Sequence, residues 1–172
     1  DLNQLLLNHI IYKFPSVFLP YIKMEKLKVA VIGTGAMGRS HARIYSDMAN
    51  AELVAVCDKD EKTANEIAKK YSAKPFADYK KIDEKLDAVS VCVPTKLHKD
   101  AAMFFINKGI NVLIEKPIAD SLQEAKKLIK AAEEKNVKLM VGHVERFNPA
   151  VSEIKKRLAN NELGEVYSIS AL

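Results

Sequence analysis

The chain has 172 residues, of which 48% are hydrophobic and 28% are charged, and its formal net charge is +5. These values are ordinary for a globular protein, and the length suffices for one domain with a core or for one domain and part of another. The lysines mostly lie beside glutamates on predicted helices, which indicates solvated helix faces. A nucleic-acid interface needs a concentrated basic patch, so the sequence predicts no nucleic-acid partner.

Residues 1–23 differ from the rest of the chain, because they are apolar but interrupted by Lys13, Pro15 and Pro20. No uncharged stretch there reaches the roughly 18–20 residues needed to span a bilayer, so we expect no membrane insertion. The segment also lacks the basic start and the small-residue cleavage site of a signal peptide. Met24 directly precedes the first predicted strand, which favours Met24 as the natural start and residues 1–23 as a non-native leader. The alternative is a helical arm that packs on a partner subunit.

The first strand, turn and helix carry the clearest motif. An apolar run at 27–32 predicts a buried strand, and a second run at 53–57 ends in Asp58, 20 residues after the last glycine of the turn. The turn between them consists of Gly33, Thr34, Gly35, Ala36, Met37 and Gly38. In such a turn the glycines allow a tight bend, the approach of a pyrophosphate and close packing of the helix on the strand, while the helix N-terminus supplies N–H donors.

Asp58 bears on the choice of cofactor. We expect its carboxylate to accept hydrogen bonds from ribose hydroxyls and to repel a 2′-phosphate, which favours NAD over NADP. The alternative interpretation is a glycine turn that binds no ligand.

Helices and strands alternate from Leu27 onward. The sequence predicts helices at about 36–49, 61–71, 97–108 and 122–136, and further strands near 52–58, 74–77, 88–93, 111–114 and 138–141. Near-continuous apolar strands between helices specify a parallel sheet covered on both faces. The predicted fold class is therefore α/β, with a Rossmann-type doubly wound parallel sheet over residues 24–145.

The pattern changes after the sixth strand. A helix is predicted at about 149–160, and the alternation of polar and apolar residues at 164–170 predicts a half-buried strand. Because one strand cannot form a sheet, we expect 146–172 to be the incomplete beginning of a second α/β domain.

Two cysteines, Cys57 and Cys92, each lie in a predicted apolar strand. In the usual doubly wound order the first strand lies between the strands that carry the two cysteines. The cysteines are then two strand spacings apart, about 10 Å. That exceeds the limit of about 7 Å between the Cα atoms of a disulfide. We therefore expect two reduced core residues and a reducing, cytoplasmic compartment.

Polar residues follow three of the predicted strands, at the edge where open parallel sheets bind ligands. They are Pro94, Thr95 and His98 after the fourth strand, Glu115 and Lys116 after the fifth, and His143 and Arg146 after the sixth. We expect these residues to line the groove where the nicotinamide ring lies. The four histidines and the acids have no metal-ligand spacing, so no metal site is predicted, and His41 carries no signal.

Lys116 is the most informative of these residues. It ends a core strand and is followed by a proline, so a partly desolvated ammonium there can hydrogen-bond a substrate hydroxyl and exchange a proton with it. Alternatively, Lys116 pairs with Glu115 or points to water. Alternatives also remain open for three other residues. His98 can cap its helix, and His143 can have a structural role. Arg146 can hold a substrate phosphate or form a salt bridge.

Four segments, 33–38, 93–98, 115–117 and 141–149, together resemble the glucose–fructose oxidoreductase, inositol dehydrogenase and rhizopine catabolism (Gfo/Idh/MocA) family. The resemblance runs from about residue 26 to 172, and 144–149 is most similar to the UDP-N-acetylglucosamine 3-dehydrogenases. It implies a Rossmann domain followed by an α/β domain whose open sheet often mediates homo-oligomers. It also implies that Lys116 is the catalytic or substrate-positioning residue. Family members often pair this lysine with an Asp-x-x-x-His constellation in the second domain, which does not occur before the sequence ends.

The sequence therefore predicts the N-terminal portion of an NAD-dependent oxidoreductase. Its substrate would be a ring hydroxyl of a sugar, nucleotide sugar or polyol. Two alternatives remain at this point: a non-catalytic dinucleotide-binding regulator, a type that the family includes, and an inactive truncated product.

Overall fold

The computed structural model describes residues 25–170, so the expectations for residues 1–23 and Met24 lie outside the described residues. The strands are β1 (Leu27–Ile32), β2 (Ala51–Cys57), β3 (Lys74–Phe76), β4 (Ala88–Val91), β5 (Asn111–Ile114) and β6 (Leu139–Val141). The helices are α1 (Ala36–Asp47), α2 (Glu61–Tyr71), α3 (His98–Asn107), α4 (Leu122–Glu134) and α5 (Pro149–Ala159), and short 3-10 turns lie at Tyr79–Lys81, Thr95–Leu97 and Val144–Phe147.

The six strands form one parallel sheet in the order β3-β2-β1-β4-β5-β6. This confirms the predicted doubly wound α/β fold, in which the strand order reverses beside β1. The register pairs Ile32 with Val91, Val91 with Ile114, and Ile114 with Val141. The segments that follow β1, β4, β5 and β6 therefore begin side by side at one edge of the sheet.

Side chains alternate along β1 between two cores, one on each face of the sheet. Val29 and Val31 pack in the cluster that includes Ala42 and Ile67 of α1 and α2. Ile32 packs in the other cluster, among residues of α3 and α4. Because both faces are covered, the central strands are nearly free of polar residues, as the sequence pattern indicated.

Three helices begin with a side-chain cap. Asp60 accepts from the N–H groups of the first turn of α2, Ser121 accepts from Glu124 N in α4, and Asn148 accepts from Ala150 N in α5. The hydroxyl and N–H groups of Thr63 that bond to Asp60 lower the pKa of that carboxyl below its usual value.

One expectation from the sequence is wrong. Residues 166–170 form no strand and are exposed, because within the described residues no neighbouring strand pairs with their backbone groups. The large apolar side chains of α1 are not what packs it on the sheet, since Met37, Ile44 and Met48 are 42%, 47% and 39% exposed. The small residues Gly38 and Ala42 make the close contact of α1 with the sheet instead.

Candidate dinucleotide-binding and catalytic site

The turn between β1 and α1 contains three glycines, and two of them are explained by packing within the protein. Gly33 has φ +90°, and a Cβ on it would lie 2.7 Å from the carbonyl carbon and oxygen of Cys92. A Cβ on Gly38 would lie 1.8 Å from the carbonyl oxygen of Gly33. Both positions therefore exclude any other residue.

Gly35 has no such explanation. Its φ of −64° is accessible to every residue, and a Cβ there would meet no atom within 4 Å. The missing side chain instead leaves open the space in front of α1, where no side chain caps the helix N-terminus. Free N–H groups facing open space at a helix N-terminus are suited to bind an anion.

Asp58 holds this turn in place. Its Oδ2 accepts from the backbone N–H of Thr34 at 2.7 Å and from the Thr34 hydroxyl at 2.9 Å, and its Oδ1 accepts from Asp60 N at 3.0 Å. Thr34 is fully buried. A carboxylate offers about four acceptor sites, so Asp58 keeps capacity for a further donor while it orders the turn.

Arg39, which sequence reasoning did not single out, also contacts the turn. Its Nε donates to the carbonyl oxygen of Thr34 at 3.2 Å, and its guanidinium lies 3.6 Å from the carboxylate of Glu66. The side chain is 45% exposed. A cation therefore lies against the backbone of the turn, where it pairs with Glu66.

His98 is placed differently from its predicted contact with the cofactor. The side chain is 1% exposed, and its two ring nitrogens lie 2.8 Å from the carbonyl oxygens of Val93 and Pro117. Both ring nitrogens thus lie against backbone carbonyl oxygens, an arrangement that favours the structural alternative over contact with the cofactor. His98 instead bridges the carbonyl oxygens of Val93 and Pro117, so it holds the segment that follows β4 against the segment that follows β5.

The other residues after β4 are more accessible. Pro94 is exposed, and Thr95 is half-buried at the start of the 3-10 turn that precedes α3. Both remain candidates for contact with a ligand at this edge.

Glu115 and Lys116, at the end of β5, have opposite environments. The Glu115 side chain is buried, with Oε1 3.0 Å from His41 Nε2 and Oε2 accepting from Lys116 N at 3.2 Å. Both oxygens thus serve protein groups, so the expectation that Glu115 binds the cofactor is not supported by its geometry. Lys116 is exposed, so the partial desolvation expected of its ammonium is not seen. The ammonium forms no ion pair within residues 25–170, including none with Glu115.

His41 is the residue of this region that sequence reasoning missed. It lies on α1, and its ring connects Glu115 to Ser90 Oγ, which is 3.0 Å from Nδ1. Ser90 is also 2.7 Å from the hydroxyl of Tyr45, whose pKa is raised by burial. No motif marks His41, because its partners lie 49 and 74 residues away in the sequence.

His143 and Arg146 lie at and just after the end of β6, and both are exposed. Arg146 forms no ion pair within the described part of the chain, so the predicted alternative of a salt bridge is not seen there. A mostly apolar cavity of about 230 Å³ opens beside them. It is lined by His41, Ile44, Tyr45, Leu113, Met140 and Phe147, among others.

The two cysteines are free thiols, as predicted, and β1 separates their strands. Burial raises the pKa of Cys57 and of Cys92 to about 12. Neither thiol is therefore a nucleophile at neutral pH.

Residues 27–143 match the model of a family described as the Gfo/Idh/MocA oxidoreductases, with an NAD-binding Rossmann fold. The chain belongs to the Gfo/Idh/MocA oxidoreductase family. This confirms the resemblance drawn from the segments at 33–38, 93–98, 115–117 and 141–149.

Individual members of the Gfo/Idh/MocA family are similar over most of the chain. The glucose-6-phosphate 3-dehydrogenase of Bacillus subtilis (strain 168) is 34% identical over 142 residues, 83% of this chain and 41% of that protein. The UDP-N-acetylglucosamine 3-dehydrogenase of Acidithiobacillus ferrooxidans is 33% identical over 133 residues, 77% of this chain and 42% of that protein.

A solved structure of the family has the same fold. The WlbA dehydrogenase from Bordetella pertussis, in complex with NADH and UDP-GlcNAcA, matches with a TM-score of 0.79 at 26% identity, over 83% of this chain and 45% of that one. The chain thus spans less than half the length of the relatives that it matches. Within the described residues no helix is both long enough and apolar enough to cross a membrane.

Proposed function

We propose that the chain is the nucleotide-binding portion of an NAD-dependent oxidoreductase that acts on a ring hydroxyl of a sugar, nucleotide sugar or polyol. The observation that carries this proposal is Gly35, whose bare Cα leaves the N-terminus of α1 open although nothing in the protein requires a glycine there. That space fits a diphosphate held by the main-chain N–H groups at the start of α1.

The neighbourhood of Asp58 favours NAD. Its remaining acceptor capacity suits a ribose hydroxyl, and its negative charge disfavours a 2′-phosphate at the same position. Arg39, which contacts the carbonyl oxygen of Thr34 in the same turn, would weaken this preference, because a guanidinium attracts phosphate. We therefore propose NAD as the main cofactor and expect measurable but weaker binding of NADP.

Lys116 would assist the reaction at the carbinol. A bound nicotinamide would supply the acceptor for the hydride of the carbinol carbon, and the hydroxyl must also lose its proton for the carbonyl to form. The Lys116 side chain is exposed at the end of β5 and forms no ion pair within residues 25–170, so its ammonium is available to hydrogen-bond that hydroxyl, and its neutral amine would take the hydroxyl proton. In the reverse direction it would return the proton to the carbonyl oxygen.

Two observations favour a substrate that bears phosphate: the environment of Arg146 and the names of two relatives. Arg146 is exposed and forms no ion pair within the described residues, so its guanidinium can hold a phosphate bidentately. The two relatives are named as 3-dehydrogenases of glucose 6-phosphate and of UDP-N-acetylglucosamine, both of which carry phosphate. We propose that His143 and Arg146 contact this part of the substrate.

The domain division and the assembly are also proposals. Residues 24–145 would form the Rossmann domain, and 146–172 would begin an α/β domain that completes the active site and forms a homo-oligomer. In support, every residue of α5 is exposed and so makes no core of its own. The free thiols fit a cytoplasmic location.

Turnover tests the catalytic proposal. The whole gene product would be screened with NAD and with glucose 6-phosphate, UDP-N-acetylglucosamine and myo-inositol, first as wild type and then as Lys116→Ala and Lys116→Arg. If Lys116 transfers the proton, kcat of Lys116→Ala falls by about 100-fold or more, and arginine, which cannot give up its proton, does not restore it. A wild-type kcat for Lys116→Ala on an active substrate contradicts the role. Cofactor binding without turnover of any substrate favours a regulatory protein instead.

A further inference from the structure

A chain of partly buried hydrogen bonds connects α1 to the end of β5, beside the proposed site. The Tyr45 hydroxyl lies 2.7 Å from Ser90 Oγ, which lies 3.0 Å from His41 Nδ1. His41 Nε2 lies 3.0 Å from Glu115 Oε1, and Glu115 Oε2 accepts from the backbone N–H of Lys116 at 3.2 Å. The side chains of His41 and Glu115 are only 11% and 7% exposed.

The direction of these hydrogen bonds follows from the chemistry at each end. An ionised carboxylate only accepts, so His41 Nε2 must carry the proton that faces Glu115. In a neutral ring Nδ1 then accepts from the Ser90 hydroxyl, and Ser90 accepts in turn from Tyr45. Burial raises the pKa of Tyr45, which keeps its hydroxyl protonated as this arrangement requires. Every member of the chain is thereby satisfied.

The Glu115 carboxylate also lies beside Gly142, where a Cβ would be 3.0 Å from Oε1 and 3.3 Å from Oε2. The glycine leaves this space free, and a larger residue at 142 would push the carboxylate aside by a few tenths of an ångström. The contact that orients the carboxylate is therefore the one between Oε1 and His41, which leaves Oε2 toward Lys116 N.

We propose that His41 is a positioning residue for Lys116. By fixing Glu115, it fixes the backbone N–H of Lys116 and hence the direction in which the lysine side chain leaves the end of β5. This inference rests on the proposed function for its effect on turnover, but the hydrogen bonds themselves can be tested without any reaction.

The test uses two substitutions that separate the two ring nitrogens. A glutamine amide nitrogen reaches about as far from the backbone as Nε2, so His41→Gln can still donate to Glu115. An asparagine side chain is one carbon shorter and reaches only about as far as Nδ1, so His41→Asn loses that bond. Arg43→Ala is the matched control on the same helix, because Arg43 is exposed and pairs only with Asp47 among the described residues.

In the whole gene product with an active substrate, we expect His41→Asn to lower kcat by about tenfold to 100-fold with less than about a threefold change in KM. His41→Gln should recover most of that loss, and Arg43→Ala should match the wild type. If His41→Asn keeps the wild-type kcat while Lys116→Ala is inactive, this inference fails and the proposed function stands. If Lys116→Ala is also fully active, the proposed function fails.

Amide hydrogen exchange supplies the readout that needs no substrate. We expect exchange at Lys116 N to accelerate by at least about tenfold in His41→Asn, because its acceptor is released. The neighbouring N–H of Glu115 donates to Val91 O at 3.0 Å and should stay protected. Equal exchange at Lys116 in wild type and in His41→Asn overturns the inference. Should neither variant fold, nitrogen NMR of wild-type His41 decides. The ring must carry a proton on Nε2, and a ring whose single proton lies on Nδ1 overturns the inference.

Discussion

Replacing Gly35 with alanine separates cofactor binding from folding. The new Cβ would meet no atom within 4 Å, and φ at this position is −64°, so the substitution introduces no clash and no backbone strain. Alanine is a poorer helix N-cap than glycine by roughly 0.5–1 kcal/mol, but it also restricts the unfolded chain, which stabilises the fold by about 0.4–1 kcal/mol. These effects nearly cancel, so the free energy of unfolding should change by less than about 1 kcal/mol.

Binding of the dinucleotide should change much more. The methyl group would stand in the space through which a diphosphate approaches the first turn of α1. Losing two charge-assisted hydrogen bonds, at about 1.5–3 kcal/mol each, weakens affinity by at least about 100-fold. Calorimetric titration with NAD measures the affinity, and urea denaturation measures the stability.

Gly38→Ala provides the contrast within the same turn. Its Cβ would lie 1.8 Å from Gly33 O, so this substitution should destabilise the fold rather than act on the ligand. If Gly35→Ala binds NAD as tightly as the wild type, the turn does not hold the diphosphate. If Gly35→Ala unfolds the protein, the open space at Gly35 has been misinterpreted.

Three further outcomes are expected. Asp58→Asn keeps an acceptor for Thr34 but removes the negative charge. In fluorescence titrations the ratio of NADPH to NADH affinity should therefore rise by about tenfold, and an unchanged ratio contradicts the role of the carboxylate. Burial raises the pKa of both cysteines to about 12. Alkylation by iodoacetamide at pH 8 should therefore be at least about 1000-fold slower in the folded protein than in urea. Equal rates would show that the thiols are accessible. Phe105 is 1% exposed, so Phe105→Ala should lower the free energy of unfolding in urea by about 3–5 kcal/mol. Leu122 is 71% exposed, so Leu122→Ala should lower it by less than about 1 kcal/mol. Similar losses for the two variants would contradict the assigned core.

The sheet was predictable because its signal is local and repeated. Each central strand is an apolar run, each is followed by a helical pattern, and short connections leave few topologies for such a chain. The bounds of α3 and β6, for example, lie within about one residue of the predicted bounds. The expected separation of the two cysteines followed from the same strand order and is matched by two free thiols.

Individual roles near the site were harder to predict, because they depend on contacts between distant parts of the sequence. His41 has no distinctive neighbours along the chain, and only the fold brings it to Glu115. His98 lies in the expected segment, but burial of its ring against two carbonyl oxygens makes it a structural residue. The strand predicted at 164–170 failed for the same reason, since alternation alone cannot supply a neighbouring strand.

An NMR titration of this chain with NAD tests most directly whether the turn at 33–38 holds a dinucleotide. Saturable binding is expected, with the largest changes in amide chemical shift at Gly35, Ala36 and Met37. No saturable binding by the folded chain, or shifts that leave these three amides unchanged, would contradict the assigned site.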